Sequence, residues 1–157
     1  MKRFLLASLL TCALASGAAA ADRKPPYWAS IAAGEARMRT GPSLTYPVTW
    51  LYKRRDLPIR VVATFPNWRK VRDPAGVEGW ILVSLLSDTR TAIIPPGPPR
   101  ALHATPGGRQ VYRAAPGVVG RVSRCAAGWC RFVVADRGGG FVRVGDIWGV
   151  DRGETID

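Results

Sequence analysis

Histidine occurs once in the 157 residues, at His103, and cysteine three times, at Cys12, Cys125 and Cys130. This scarcity bears first on chemistry. A metal site of the ordinary zinc type needs three or four side-chain ligands, and one histidine with one close cysteine pair does not supply them. A Ser-His-Asp or Cys-His centre would have to be built on His103 alone. Redox catalysis uses a C-x-x-C pair at a helix start, whereas Cys125 and Cys130 have four residues between them. Acidic residues are also few, 11 against 23 Lys and Arg, for a net charge of +12. Glu35, Asp56, Asp73, Glu78, Asp136 and Asp146 fall in or beside turn sequences, where they read as turn formers and solvated charges. Long helical periodicity is missing too, so the glycines of 137–140 belong to a hairpin turn and not to a phosphate loop before a helix. These absences lead us to expect no catalytic residues, no bound metal and no cofactor.

One long apolar run is present. MKRFLLASLLTCALASGAAAAD begins with Lys2 and Arg3, continues through Phe4 to Leu14 and ends in small residues. That is the layout of a secretory signal over 1–21, cut after Ala20 or Ala21. A retained anchor is the alternative, because Phe4 to Ala21 is just long enough to span a bilayer; lipidation at Cys12 fits less well. Cleavage removes Cys12 and two cations, leaving a charge of +12 − 2 = +10 and two cysteines in an oxidising compartment. The expected location is periplasmic or secreted, with no stable membrane span after cleavage. A basic exported chain attracts acidic envelope partners more readily than nucleic acid.

Beyond the signal, short β-type runs alternate with turns. Strands are expected at 36–39, 48–52, 58–64, 68–72, 79–83 and 91–94, with reversals at TGPS, RRD, FPN and DPAG. The series then repeats. Asn67-Trp68-Arg69-Lys70-Val71 aligns with Gly128-Trp129-Cys130-Arg131-Phe132, and at the same offset Gly79-Trp80-Ile81 aligns with Gly140-Phe141-Val142. Between the copies, the prolines of 95–99 suit a stiff, extended spacer. The expected plan is one domain at 27–94, a linker at 95–99 and a second domain at 100–154. If Val71 and Phe132 face the core, alternation turns Trp68, Lys70 and Arg72, and likewise Trp129 and Arg131, outward.

The two late cysteines fit a staple. With strands on either side, 126–129 forms the loop and Cys125 faces Cys130, within the Cα separation that a disulfide tolerates.

The segments Arg39-Thr40-Gly41-Pro42-Ser43, Tyr46-Pro47-Val48, Asn67-Trp68-Arg69-Lys70-Val71 and Gly79-Trp80-Ile81 make the first copy resemble a bacterial SH3-like (SH3b) domain. The second copy resembles the cysteine-bearing SH3-like repeat of proteobacterial tandem proteins, through Cys125, Gly128-Trp129-Cys130-Arg131 and Asp146-Ile147-Trp148-Gly149-Val150. It has Phe141 where the family usually carries Trp, and ALHATPGG in place of an R-x-G-P stretch. The resemblance implies an all-β chain of two small SH3-like barrels, each with a short 3₁₀ turn before its last strand. The second copy runs out soon after Trp148, so its closing strand is expected to be short or supplied from elsewhere, with 27–33 or the other module covering the open edge.

The resemblance also implies a non-catalytic binding module for peptidoglycan peptide or a peptide-like envelope protein. The residues themselves supply aromatic plates among cations, and the ligand-binding candidates are Arg39, Tyr46, Trp50, Tyr52, Trp68, Lys70 and Trp80. An interaction or scaffold protein of the envelope, with no small ligand, is the alternative. A third possibility, anionic-membrane association through Lys53, Arg54 and Arg55, lacks an amphipathic helix to support it.

Overall fold

The structure, a computed structural model, describes residues 23–157, so the expected signal and Cys12 lie outside the described residues. The chain is all-β, with two antiparallel sheets. The first contains β1 (Tyr27–Ile31), β2 (Ala36–Arg39), β3 (Val48–Tyr52), β4 (Pro58–Phe65), β5 (Trp68–Arg72), β6 (Glu78–Leu82) and β7 (Leu86–Ser87), in the order β3-β2-β6-β5-β4-β1-β7. The second contains β8 (Thr91–Ile93), β9 (Arg100–His103), β10 (Gln110–Ala114), β11 (Val119–Ala126), β12 (Trp129–Val134) and β13 (Gly138–Arg143), in the order β10-β9-β13-β12-β11-β8. A 3₁₀ turn follows the hairpin strands in each copy, at Val83–Leu85 and Val144–Asp146. Among the described residues, no helix is long and apolar enough to cross a membrane.

The repeat extends to hydrogen-bond register. Ala36, Met38 and Arg39 pair with Tyr52, Trp50 and Val48, as Arg100, Leu102 and His103 pair with Ala114, Tyr112 and Gln110. Val71 pairs with Gly79, and Phe132 with Gly140. These glycines leave room for a neighbouring chain: a Cβ on Gly140 would lie 2.8 Å from the His103 carbonyl oxygen.

Two sequence expectations about strand partners are corrected. The strand at 91–94, read as the close of the first copy, is hydrogen-bonded instead to β11 in the second sheet, with Ala92 opposite Gly120. The segment at 27–33 does not cover the second copy. Its strand β1 lies between β4 and β7 of the first sheet. Each copy therefore carries its own leading strand, which pairs with the long strand of its sheet. Composition hides this, because β1 and β8 are short and apolar and would satisfy either edge. Burial selects the partner: Ile31 is fully buried in the first sheet's cluster, and Ala92 and Ile94 in the second's.

The two cores meet. Ile93 packs into the first cluster together with Val119 and Trp148. Trp28 of β1 meets Trp148 edge to face at 4.7 Å, and the Arg60 guanidinium lies 4.6 Å above the Trp28 ring. Arg60 also donates from Nη1 to both carboxylate oxygens of Asp151, at 2.8 and 2.7 Å. Arg90 donates to Glu154 and to the Gly149 carbonyl, and Arg54 donates to the Gly117 carbonyl at 2.6 Å. The 95–99 segment, read from the sequence as the spacer between the copies, instead connects β8 to β9 within the second sheet, and the copies are held together by these contacts.

The cysteine hairpin is tighter than its sequence suggests. Strand pairing continues to Ala126 opposite Trp129, so only Ala127 and Gly128 form the turn, both at positive φ. Two consecutive left-handed residues match the twist of a two-residue hairpin. A bulge between Ser123 and Ala126, with Arg124 also at positive φ, brings Cys125 and Cys130 to a Cα separation of 4.1 Å, and the disulfide forms. Both cysteines are fully buried, and Cys125 exchanges backbone hydrogen bonds with Ile156, which ties down the C-terminal tail.

Candidate functional site

The outer face of β2, β6 and β5 is built by register. Arg39 is opposite Trp80, Trp80 is opposite Lys70, and Trp68 is opposite Leu82. Paired residues in an antiparallel sheet point to the same side. Arg39, Trp80, Leu82, Lys70 and Trp68 therefore share one face, and Met38, Val71 and Ile81 share the core face. A hollow of about 250 Å³ opens on this outer side. Trp68, only 6% exposed, lies in its floor beside Leu82 and Leu85, and Glu35, Arg37, Arg39 and Leu44 form its rim.

The cations around the hollow have different roles. Arg39 donates from Nη1 to the carbonyls of Leu44 and Tyr46, at 2.9 and 2.7 Å, and so fixes the loop between β2 and β3. Lys70 and Arg72 both pair with Glu78, at 3.2 and 2.7 Å. Hydrogen bonds from Arg72, then from Lys70, hold the Glu78 carboxyl below its ordinary value. Arg37 is exposed and makes no ion pair among the described residues, which leaves its guanidinium free to receive a carboxylate. Trp80 stands next to the hollow, edge to face with the exposed Phe65 at 6.4 Å.

The seven sequence candidates do not form one cluster. Arg39, Trp68, Lys70 and Trp80 lie on the face just described. Tyr46 is exposed in the loop after Gly41, with its ring so close that a Cβ on Gly41 would lie 2.6 Å from it. Trp50 is exposed but is opposite the core residue Met38, so it stands at the other side of the sheet. Tyr52 faces inward: it is 5% exposed and its hydroxyl donates to Asp73 Oδ2 at 3.0 Å. Burial first, and then the Asp73 hydrogen bond, raise its phenol well above the ordinary value. Asp73 also accepts from the Ala75 and Val77 amides, at 2.9 and 2.8 Å, and shapes the turn between β5 and β6. Strand alternation alone separates Tyr52 from Trp80. The sequence reading missed Arg37 and Leu44; the loop contacts that place them at one rim are absent from strand periodicity.

The second copy carries a different version of this face. Its Trp129 meets the His103 ring at 5.2 Å and lies 5.0 Å below the Arg143 guanidinium, while Arg131 lies over Phe141. His103 Nδ1 is 2.7 Å from the Gly108 carbonyl, so this ring is held across the tryptophan.

Two segments, 32–88 and 102–149, match the family model described as Bacterial SH3 domain, and together they cover more than half of the chain. The chain belongs to the bacterial SH3 domain family. Parts of three larger solved proteins are also similar to this chain. An NlpC/P60 family protein from Bacillus cereus ATCC 10987 is 12% identical, with a TM-score of 0.35, over 77% of this chain and 55% of that one. NlpC1 from Trichomonas vaginalis is 12% identical, with a TM-score of 0.36, over 80% and 46%. NlpC2 from the same organism is 11% identical, with a TM-score of 0.36, over 82% and 51%. The chain thus spans about half the length of these proteins. A search of curated proteins found no match.

Proposed function

We propose that this chain is a non-catalytic binding protein of the periplasm or extracellular space, and that its first SH3 domain holds a cell-wall peptide or a peptide-like envelope partner in the hollow over Trp68. The observation that carries this reading is the combination of an indole floor with the unpaired Arg37 at the rim. An aromatic floor supplies contact area at low entropic cost, and a free guanidinium pairs with the carboxylates that stem peptides carry. Membership of a family of binding domains agrees with this.

The test is co-sedimentation with purified peptidoglycan across a salt series. Binding is expected to fall as salt rises, to weaken several-fold in Arg37→Gln and to be lost in Trp68→Ala. Because Trp68 is almost covered, the exposed Arg37→Gln and the partly exposed Trp80→Ala serve as variants that keep the core. No pelleting at low salt refutes the reading.

The alternative, a scaffold protein whose domains dock on each other or on an envelope partner, draws support from the Trp28 and Trp148 contact. That junction leaves the hollow over Trp68 open, which favours ligand binding.

A further inference from the structure

The internal repeat shows where the second domain has lost a side chain. Tyr52 is opposite Ala36 in the first sheet, and Ala114 occupies the same register position opposite Arg100 in the second. By the same offset that aligns Val71 with Phe132, Asp73 corresponds to Val134. In the first domain the Tyr52 ring covers Met38, with its hydroxyl 3.7 Å from the sulfur, and closes on Asp73. In the second, Leu102 replaces Met38, and the ring and its carboxylate partner are replaced by Ala114 and Val134. A hollow of about 460 Å³ opens there, with Leu102, Ala114 and Val134 in its wall. This size lies in the range of small-ligand sites.

The rim is cationic. Arg113 and Arg137 are exposed and have neither an ion pair nor a side-chain hydrogen bond among the described residues, and Arg54 reaches in from the first domain while donating to the Gly117 carbonyl. Tyr112, 51% exposed, lies along the edge, with its hydroxyl next to Gly138. The lining of this apolar slot includes three arginines and no carboxylate, which makes a site with one missing sign of charge. Planar guanidinium forks bind carboxylates in bidentate fashion.

We propose that this hollow is a second binding site, which takes a peptide's free C-terminal carboxylate together with an aromatic or branched apolar last side chain. The side chain fills the place that Tyr52 fills in the first domain, and the carboxylate meets Arg113 and Arg137. The site lies apart from the Trp68 hollow and does not rest on the wall-binding reading.

The test is an NMR titration of the intact protein, disulfide formed, with N-acetyl-L-phenylalanine and with its amide. The acid is expected to saturate with a dissociation constant on the order of 1 mM, as suits a fragment of this size, and to shift the Tyr112, Ala114 and Val134 amide signals. The uncharged amide is expected to bind at least about tenfold more weakly, as a lost charge-assisted pair implies. Ala114→Tyr rebuilds the missing ring and should abolish binding. If that variant does not fold, the surface pair Arg113→Gln/Arg137→Gln decides, and it should weaken the acid by a similar factor while leaving the amide unchanged. No saturation by the acid, equal binding of acid and amide, shifts confined to the Trp68 face, or binding indifferent to the arginine substitutions would each overturn the proposal.

Discussion

Replacing Trp148 with alanine tests whether the two domains unfold as one body. Trp148 contributes half of the edge-to-face pair with Trp28, packs on the first domain's core and exchanges backbone hydrogen bonds with Ile93. A tryptophan side chain offers roughly 150–250 Å², and Trp148 is only partly buried, so about 100 Å² is removed from water. At ~25 cal/mol per Å² this is about 2.5 kcal/mol. The aromatic pair adds about 1 kcal/mol, for a total of ~3.5 kcal/mol. The backbone bonds at Ile93 survive the substitution, so the second sheet keeps its β8 edge while the junction loosens.

Scanning calorimetry of the native protein should show one cooperative transition, because Ile93 and Val119, from strands of the second sheet, pack into the first core. In Trp148→Ala we expect two transitions, the lower displaced downward by more than about 10 °C for a domain of this size. Arg55→Gln, an exposed change away from the junction, is the control and should shift the midpoint very little. A single transition at the native temperature in Trp148→Ala would refute the continuity of the two cores.

Acid should loosen the same junction. Burial by itself would raise the Glu154 carboxyl, but hydrogen bonds from Arg90 and from the Asp151 amide outweigh it and hold the group below its ordinary value of 4.5. The folded state thus binds this proton less tightly than the unfolded one. Its stabilisation is present above 4.5 and is lost as pH falls through the lowered folded value, and Glu154→Gln should flatten that part of a pH titration of stability. Substituting both cysteines, Cys125→Ala with Cys130→Ala, should cost about 2 kcal/mol by the loop-closure estimate for so small a loop, measured by urea denaturation; an unchanged midpoint would count against the staple. Tyr52→Phe should destabilise the first domain by about 1–2 kcal/mol, because it removes a buried hydrogen bond to a charged acceptor. It should leave peptidoglycan pelleting unchanged, and a loss of pelleting in a stable Tyr52→Phe protein would return Tyr52 to the binding face.

Much was decided by local pattern. Alternation around Val71 and Phe132, turn residues between short β-type runs and the constant offset between Trp68 and Trp129 were enough for an all-β chain of two related domains. The spacing of Cys125 and Cys130 was enough for a hairpin staple, because two residues flanking a short turn have few places to go. Period-two patterning reports which side of a strand a residue takes, and these features need nothing more.

Tertiary structure decided the rest, since it depends on contacts distant in sequence. Whether Thr91–Ile93 closes the first sheet or opens the second is invisible in its composition; its pairing with β11, Ala92 opposite Gly120, and the burial of Ala92 in the second core settle it. Tyr52 and Trp80 are equally aromatic in sequence, but one is held inside by Asp73 and the other lies outside beside Phe65. Sequence assigns side chains to faces, whereas packing determines which faces are covered, and binding depends on the ones left open.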